Sequence, residues 1–144
     1  MKTRLVDGKK EVFDPVRKRY VACTPEEWVR QAYIQYLIDV LEIPIANISV
    51  EKKIQINQQM RRFDIVVSIK GQCVIVVECK APTIALSEGA LFQAAAYNSV
   101  LSAKYIVLFN GDRQLVCKKE GETYRLCEKL PHFFKLKSLI INEK

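Results

Sequence analysis

The 144 residues suffice for one domain of ordinary size, and with 49% of them hydrophobic the chain can bury a core without disulfides or a structural metal. Lys and Arg number 23 against 16 Asp and Glu, so the formal net charge of +7 and the pI near 9.2 favour polyanionic partners such as nucleic acid. No run approaches the roughly 18 apolar residues of a membrane span, and Met1-Lys2-Thr3-Arg4 leads into no apolar signal segment, so a cytoplasmic chain without a membrane role is expected.

Residues 1–23 mix charge with scattered apolar positions and contain Asp7-Gly8 and Asp14-Pro15, a turn-rich composition expected to form a short hairpin or an arm. Thr24-Pro25-Glu26-Glu27 reads as a helix start, with Thr24 as N-cap, Pro25 at the first helical position and Glu27 closing a capping box. A helix of about four to five turns is expected. Trp28, Val29, Ala32, Tyr33, Tyr36, Leu37, Val40 and Leu41 would form its apolar stripe, and Pro44 would close it.

Three strands follow in the reading, 48–56, 63–69 and 73–80, the last two joined as a hairpin by Lys70-Gly71-Gln72. Ala81-Pro82 ends the third. Leu86 to Leu101, rich in Ala and apolar nearly all round, is expected to be a well-buried helix against the sheet. The apolar run 105–109 then completes a strand–helix–strand crossover, expected to be right-handed with parallel strands. Asn110-Gly111 marks a hairpin turn, and short strands at 114–118 and 123–127, separated by Glu120-Gly121, extend the sheet edge. The tail after Pro131 is basic and partly apolar, and there is no internal repeat. The pattern predicts an α/β fold with a mixed β-sheet flanked by α-helices, in a single domain: 1–23 as N-terminal arm or hairpin, 24–111 as core, and 112–144 as edge strands and basic tail.

The chemistry concentrates in two segments, Arg61-Arg62-Phe63-Asp64 and Glu78-Cys79-Lys80, where charge interrupts apolar strands. Side chains alternate along a strand, so Glu78 and Lys80 share a face, and Asp64 lies on the neighbouring strand. Burying three ionisable groups at a sheet end costs several kcal/mol in order of magnitude unless they pair or bind an ion. Asp64 and Glu78 offer the hard oxygen ligands that Mg²⁺ prefers, with Mn²⁺ as the alternative ion and the carbonyl of Cys79 as a further ligand. Lys80 beside them is placed to orient an attacking water and to stabilise charge on a phosphoryl group. The five cysteines form no CxxC pair and the lone His132 completes no familiar zinc set, so zinc is not expected. Cys73 and Cys79, within apolar runs, read as small buried hydrophobes rather than nucleophiles.

The D…ExK spacing resembles the PD-(D/E)xK nuclease superfamily, with Phe63 standing where the motif's name has Pro. The longer pattern resembles the N-terminal nuclease domain of type I restriction enzyme R subunits: Thr24 to Gln31, Arg62-Phe63-Asp64, Glu78 to Pro82, Gln93 with Tyr97, and Asn110-Gly111. The resemblance implies a restriction-endonuclease-like fold and metal-dependent cleavage of DNA. It implies metal binding by Asp64 and Glu78, catalysis by Lys80, an accessory carboxylate in Glu27, and a QxxxY element in Gln93 and Tyr97. No GxxxxGK[ST] loop occurs, so a motor and any restriction subunits would come from other chains.

Each residue also has a plainer account. Asp64, Glu78 and Lys80 would serve as a structural salt-bridge cluster, Glu27 as a cap with Gln31 as partner one turn on, and Gln93 and Tyr97 as a helix-surface pair at i and i+4. Arg61 and Arg62 would contact phosphates or line a solvated turn, and His132 is assigned no role. The leading reading is therefore a Mg²⁺-dependent deoxyribonuclease. Its alternatives are a noncatalytic nucleic-acid-binding or assembly module that keeps the fold, and a homodimeric scaffold, since cutting both strands with one site per chain needs two copies.

Overall fold

The computed structural model describes residues 1–142; the last two residues of the expected basic tail, 143–144, lie outside the described residues. In chain order the elements are β1 (Thr3–Val6), β2 (Lys9–Asp14), β3 (Arg19–Ala22), α1 (Pro25–Asp39), β4 (Ile48–Ile56), β5 (Gln59–Ile69), β6 (Gln72–Cys79), α2 (Glu88–Asn98), β7 (Tyr105–Phe109), β8 (Gln114–Glu120), β9 (Thr123–Cys127) and α3 (Phe133–Asn142). Apolar runs such as 63–69, 74–77 and 105–108 carry hydrophobic side chains on both faces of a strand, so they must be covered from both sides. They form the middle of a six-stranded sheet ordered β4-β5-β6-β7-β8-β9.

One face packs Ile65, Val67, Ile75, Val77 and Val107 against Tyr33, Ile34 and Leu37 of α1 and Leu136 of α3. The other packs Phe63, Val66, Val76, Ile106 and Leu108 against Leu91, Ala94 and Ala95 of α2. The result is a mixed sheet flanked by helices, the α/β fold expected of a restriction-endonuclease-like chain. β6 and β7 are parallel and joined through α2, whereas the other neighbours pair antiparallel.

Turn chemistry sets the register. Lys70 and Gly71 both have positive φ, 51° and 78°, the backbone of a tight hairpin turn between β5 and β6. Asn57 and Gln58 do the same between β4 and β5, at 49° and 67°. That second turn lacks Gly, and the sequence reading placed 59–62 in it; β5 in fact begins at Gln59, so Arg61 and Arg62 are strand residues paired with Ile54 and Lys53.

Four further expectations need correction. Residues 1–23 form a three-stranded antiparallel sheet, β1-β2-β3, rather than an arm or single hairpin; Val12 is fully buried and Lys10 lies 5.0 Å from the ring centroid of Trp28 on α1. α1 stops at Asp39, before Pro44, as Glu42 turns into the left-handed region at φ 56°. Its buried stripe takes Ile34 and leaves Trp28 and Val40 exposed. α2 buries Leu91, Ala94, Ala95 and Asn98 but exposes Phe92 and Tyr97, since only one side meets the sheet. The tail forms α3, whose Leu136 and Ile140 are buried.

Asp14 ties the N-terminal sheet together. Its fully buried carboxylate accepts hydrogen bonds from the backbone N–H groups of Val16 at 2.7 Å and Arg17 at 3.0 Å and from Arg17 Nε. Burial alone would raise its pKa, but the Arg17 side-chain bond and the two backbone bonds more than offset that and hold it below the ordinary value of 3.8. A carboxyl with a lowered native pKa contributes stability that is fully present above its unfolded value and is lost as pH falls through the native one. Asp14→Asn is therefore expected to lower the unfolding free energy by about 2 kcal/mol at pH 7, with a smaller deficit near pH 3. Urea unfolding of both proteins at the two pH values checks this, and a deficit independent of pH would contradict it.

Candidate active site

The site lies where β4, β5 and β6 present acidic residues side by side. Ile65 pairs with Val77, so one step further the register brings Asp64 opposite Glu78. Val50 pairs with Ile65 and Lys52 with Phe63, which sets Glu51 opposite Asp64 on the other flank, where the regular ladder is interrupted and Glu51 has φ 51°. A non-glycine residue rarely adopts that conformation. Three carboxylates thus stand in a row across three strands.

Each is held differently. Asp64 Oδ2 accepts the backbone N–H of Cys79 at 2.9 Å, and Oδ1 lies 3.3 Å from Arg30 Nη2. Glu78 Oε2 pairs with Lys80 Nζ at 3.3 Å, and Lys80 is fixed at the strand end by its N–H, donated to Phe109 O at 2.8 Å. Glu51 is ringed by Arg17 Nη1 at 3.2 Å, Arg30 Nη2 at 3.6 Å and, from the solvent side, Arg62 Nη1 at 3.8 Å. Side-chain exposures of 27% for Asp64 and 36% for Glu78 leave oxygens of both accessible.

Glu27 stands apart. Its N–H donates to Thr24 Oγ1 at 3.1 Å, as a capping turn requires, but its carboxylate does not return to the cap. Oε1 receives Arg17 Nη2 and Arg30 Nη1, each at 2.8 Å, and Oε2 receives Gln31 Nε2 at 3.2 Å. The Glu27–Gln31 pairing expected from the helical spacing is present, and Gln31 is buried, so it supports Glu27 rather than facing a substrate. Arg30 separates Glu27 from Asp64. Among the described residues no group of three or more His, Cys, Asp or Glu side chains converges into a metal cluster.

A divalent ion would thus find two carboxylates, not three. The charge around them still fits one. Asp14, Glu27, Glu51, Asp64 and Glu78 are linked by ion pairs to Arg17, Arg30 and Lys80, with Arg62 outside, which leaves an excess of negative charge on the inner cluster. Mg²⁺ needs few protein ligands, one or two carboxylates with water completing the shell. The donor set of Asp64 and Glu78 fits that requirement.

An open cleft of about 440 Å³ adjoins Glu78, lined by Arg62, Lys80, Gln93 and Tyr97. The helical i, i+4 spacing puts Gln93 and Tyr97 on the same wall. Arg61 stacks on the Tyr97 ring, 3.5 Å from its centroid, and donates Nη1 to the Tyr97 carbonyl at 2.8 Å. One ring face is therefore taken by Arg61, yet Tyr97 stays 57% exposed. The loop after Lys80 is anchored by Asn110, whose Nδ2 donates to Ile84 O at 2.8 Å while its Oδ1 accepts the N–H groups of Asp112 and Arg113. Gly111, at φ 95°, lets that turn approach α1: a Cβ there would meet Val29 Cγ2 at 3.4 Å.

The Cys73 and Cys79 thiols are disfavoured as thiolates. Burial pushes Cys79 well up, reinforced by Asp64, and burial raises Cys73 to about 11. His132 pairs with Glu42 at 3.3 Å, away from the site. The sequence reading missed Asp14, Arg17, Arg30 and Glu51. Arg30 carried a signal, since it lies one helical turn beyond Glu27.

No curated protein matches the chain. The family model for the type I restriction enzyme R protein N terminus matches residues 25–131, spanning α1, the six-stranded sheet and the whole acidic row. With that match over most of its length, this chain belongs to the family of type I restriction enzyme R protein N-terminal domains.

Proposed function

We propose that the chain is a metal-dependent nuclease module that hydrolyses phosphodiester bonds of DNA. The observation that carries the reading is the placement of Asp64 and Glu78 abreast on β5 and β6, with Lys80 Nζ 3.3 Å from Glu78 and an open cleft beside them. Asp64, Glu78 and the carbonyl of Cys79 would hold Mg²⁺ or Mn²⁺. Bound there, the ion would neutralise charge at the phosphodiester and make a water easier to deprotonate.

The protein's own groups do the remainder. The Cys79 N–H fixes one Asp64 oxygen and Arg30 the other, so the carboxylate keeps one orientation. Lys80, paired with Glu78 at 3.3 Å, orients the attacking water and stabilises the charge that develops on the phosphoryl oxygens. Arg62, 58% exposed at the mouth of the cleft, contacts a backbone phosphate, which fixes register without reading sequence. Gln93 and the free face of Tyr97 line the path of the same strand. Glu27 is a supporting carboxylate, reaching Asp64 only through Arg30.

In this reading sequence recognition and ATP-driven movement come from partner subunits in the cytoplasm, and a double-strand cut takes two copies of the chain. No helix among the described residues is long and apolar enough to cross a membrane. A noncatalytic DNA-binding or assembly module is the second reading, favoured by one observation: Arg30 already neutralises Asp64 from within the protein.

Plasmid and linear duplex DNA incubated with the protein and Mg²⁺ or Mn²⁺ separate the two. Cleavage is expected with either ion and not with EDTA, and Lys80→Ala should lose roughly 10²–10³ in rate while its circular dichroism stays native. Salt-dependent DNA binding by both proteins with no cleavage by either would support the noncatalytic module instead. Arg62→Ala is expected to weaken binding across all sequences and to lower the slope of log K against log salt by about 1. Fluorescence anisotropy at several salt concentrations measures that slope, and an unchanged value would remove Arg62 from the phosphate path.

A further inference from the structure

The geometry points to Arg17 as a positioning residue of the acidic site, through which the N-terminal sheet sets the orientation of Asp64. The inference rests on the reading of Asp64 as a metal ligand. Arg17 sits in the β2–β3 turn, outside residues 25–131 that the family model covers. Its side chain is only 15% exposed and serves carboxylates on three separate segments: Nε to Asp14 at the end of β2, Nη2 to Glu27 on α1 at 2.8 Å, and Nη1 to Glu51 on β4 at 3.2 Å.

Both of the last two partners also hold Arg30. Glu27 Oε1 receives Arg30 Nη1 at 2.8 Å, the same oxygen that Arg17 grips, and Glu51 Oε1 lies 3.6 Å from Arg30 Nη2. Arg30 in turn reaches Asp64 Oδ1 at 3.3 Å. Two routes of two links each thus join Arg17 to Arg30, and a shared third link joins Arg30 to Asp64. Arg30 has little else to fix its position, because its buried Nε has no hydrogen-bond partner. Wherever Glu27 and Glu51 are held, the guanidinium of Arg30 follows, and with it one of the two anchors of the Asp64 carboxylate.

Lysine cannot replace this arginine. An ammonium keeps the charge but lacks the planar fork that meets three carboxylates at once. In Arg17→Lys, Glu27 and Glu51 are released from a common grip, Arg30 loses its fixed place, and Asp64 turns on the single bond to the Cys79 N–H.

The test is Mn²⁺ binding by electron paramagnetic resonance on the full chain, comparing wild type with Arg17→Lys and Arg17→Met, each checked by circular dichroism. Supporting partners of metal ligands typically contribute one to two orders of magnitude to affinity, so Arg17→Lys should bind Mn²⁺ about tenfold more weakly. Should Arg17→Met fail to fold, Arg17→Lys carries the comparison. Wild-type affinity in Arg17→Lys would overturn the positioning role and leave Arg17 as a fastener of the N-terminal sheet. A double-mutant cycle of Arg17→Lys with Asp64→Asn in metal-free urea unfolding judges the linkage by itself: non-additive midpoint shifts support it and additive ones overturn it. If wild type binds no Mn²⁺ while the cycle is non-additive, the nuclease reading fails and the linkage stands.

Discussion

Like charges gathered at the end of an apolar sheet must be compensated, and the pairing of Arg17 and Arg30 with four carboxylates is what permits the rest of this site to exist. Asp14, Glu27, Glu51 and Asp64 come from the end of β2, a helix and two neighbouring strands of the larger sheet. Left without counter-charges in a partly desolvated setting they would repel one another or take up protons. The two arginines carry planar forks that serve several oxygens each, so the buried side of the cluster is closed. The open side is left to Asp64 and Glu78, paired with Arg30 and Lys80 respectively. An acidic pair is thereby kept accessible without being allowed to collapse onto itself.

The fold supplies the frame for this arrangement. β5 and β6 are covered on both faces, by α1 and α3 on one and α2 on the other, so their positions are set by packing that does not involve the charged residues. The parallel pairing of β6 with β7 continues to Cys79–Phe109, and the next N–H, that of Lys80, is still bonded to the Phe109 carbonyl. Rigid strand ends of this kind hold reactive groups more accurately than loops do. The β1–β3 sheet adds something the central sheet cannot, a guanidinium delivered from outside to the far side of Glu27.

Much of this was legible in the sequence. Apolar runs bounded by Gly-containing turns located β6, β7 and the hairpin between β5 and β6, though Gln72, expected in the turn, opens β6, and a capping sequence located the start of α1, because those signals are local. Alternation put Glu78 and Lys80 on one face, and the hairpin put Asp64 on the neighbouring strand. What stayed hidden depended on non-local geometry. Asn57-Gln58 turns without a glycine, so the start of β5 was missed, and with it the register that sets Glu51 across from Asp64. Arg17 gave no signal, since its three partners are brought to it only by the folded N-terminal sheet. Glu27 was read as a cap or an accessory ligand; its backbone does serve the cap, while the side chain is committed to arginines that the apolar stripe of α1 did not draw attention to.

The proposed function rests on one claim, that Asp64 and Glu78 form a seat for a hard divalent cation. Anomalous diffraction at the manganese edge from crystals soaked in Mn²⁺ tests it most directly. The account predicts a strong peak beside the carboxylates of Asp64 and Glu78. A structure with no peak there, Arg30 still seated against Asp64 and Mn²⁺ bound elsewhere or nowhere, would contradict it.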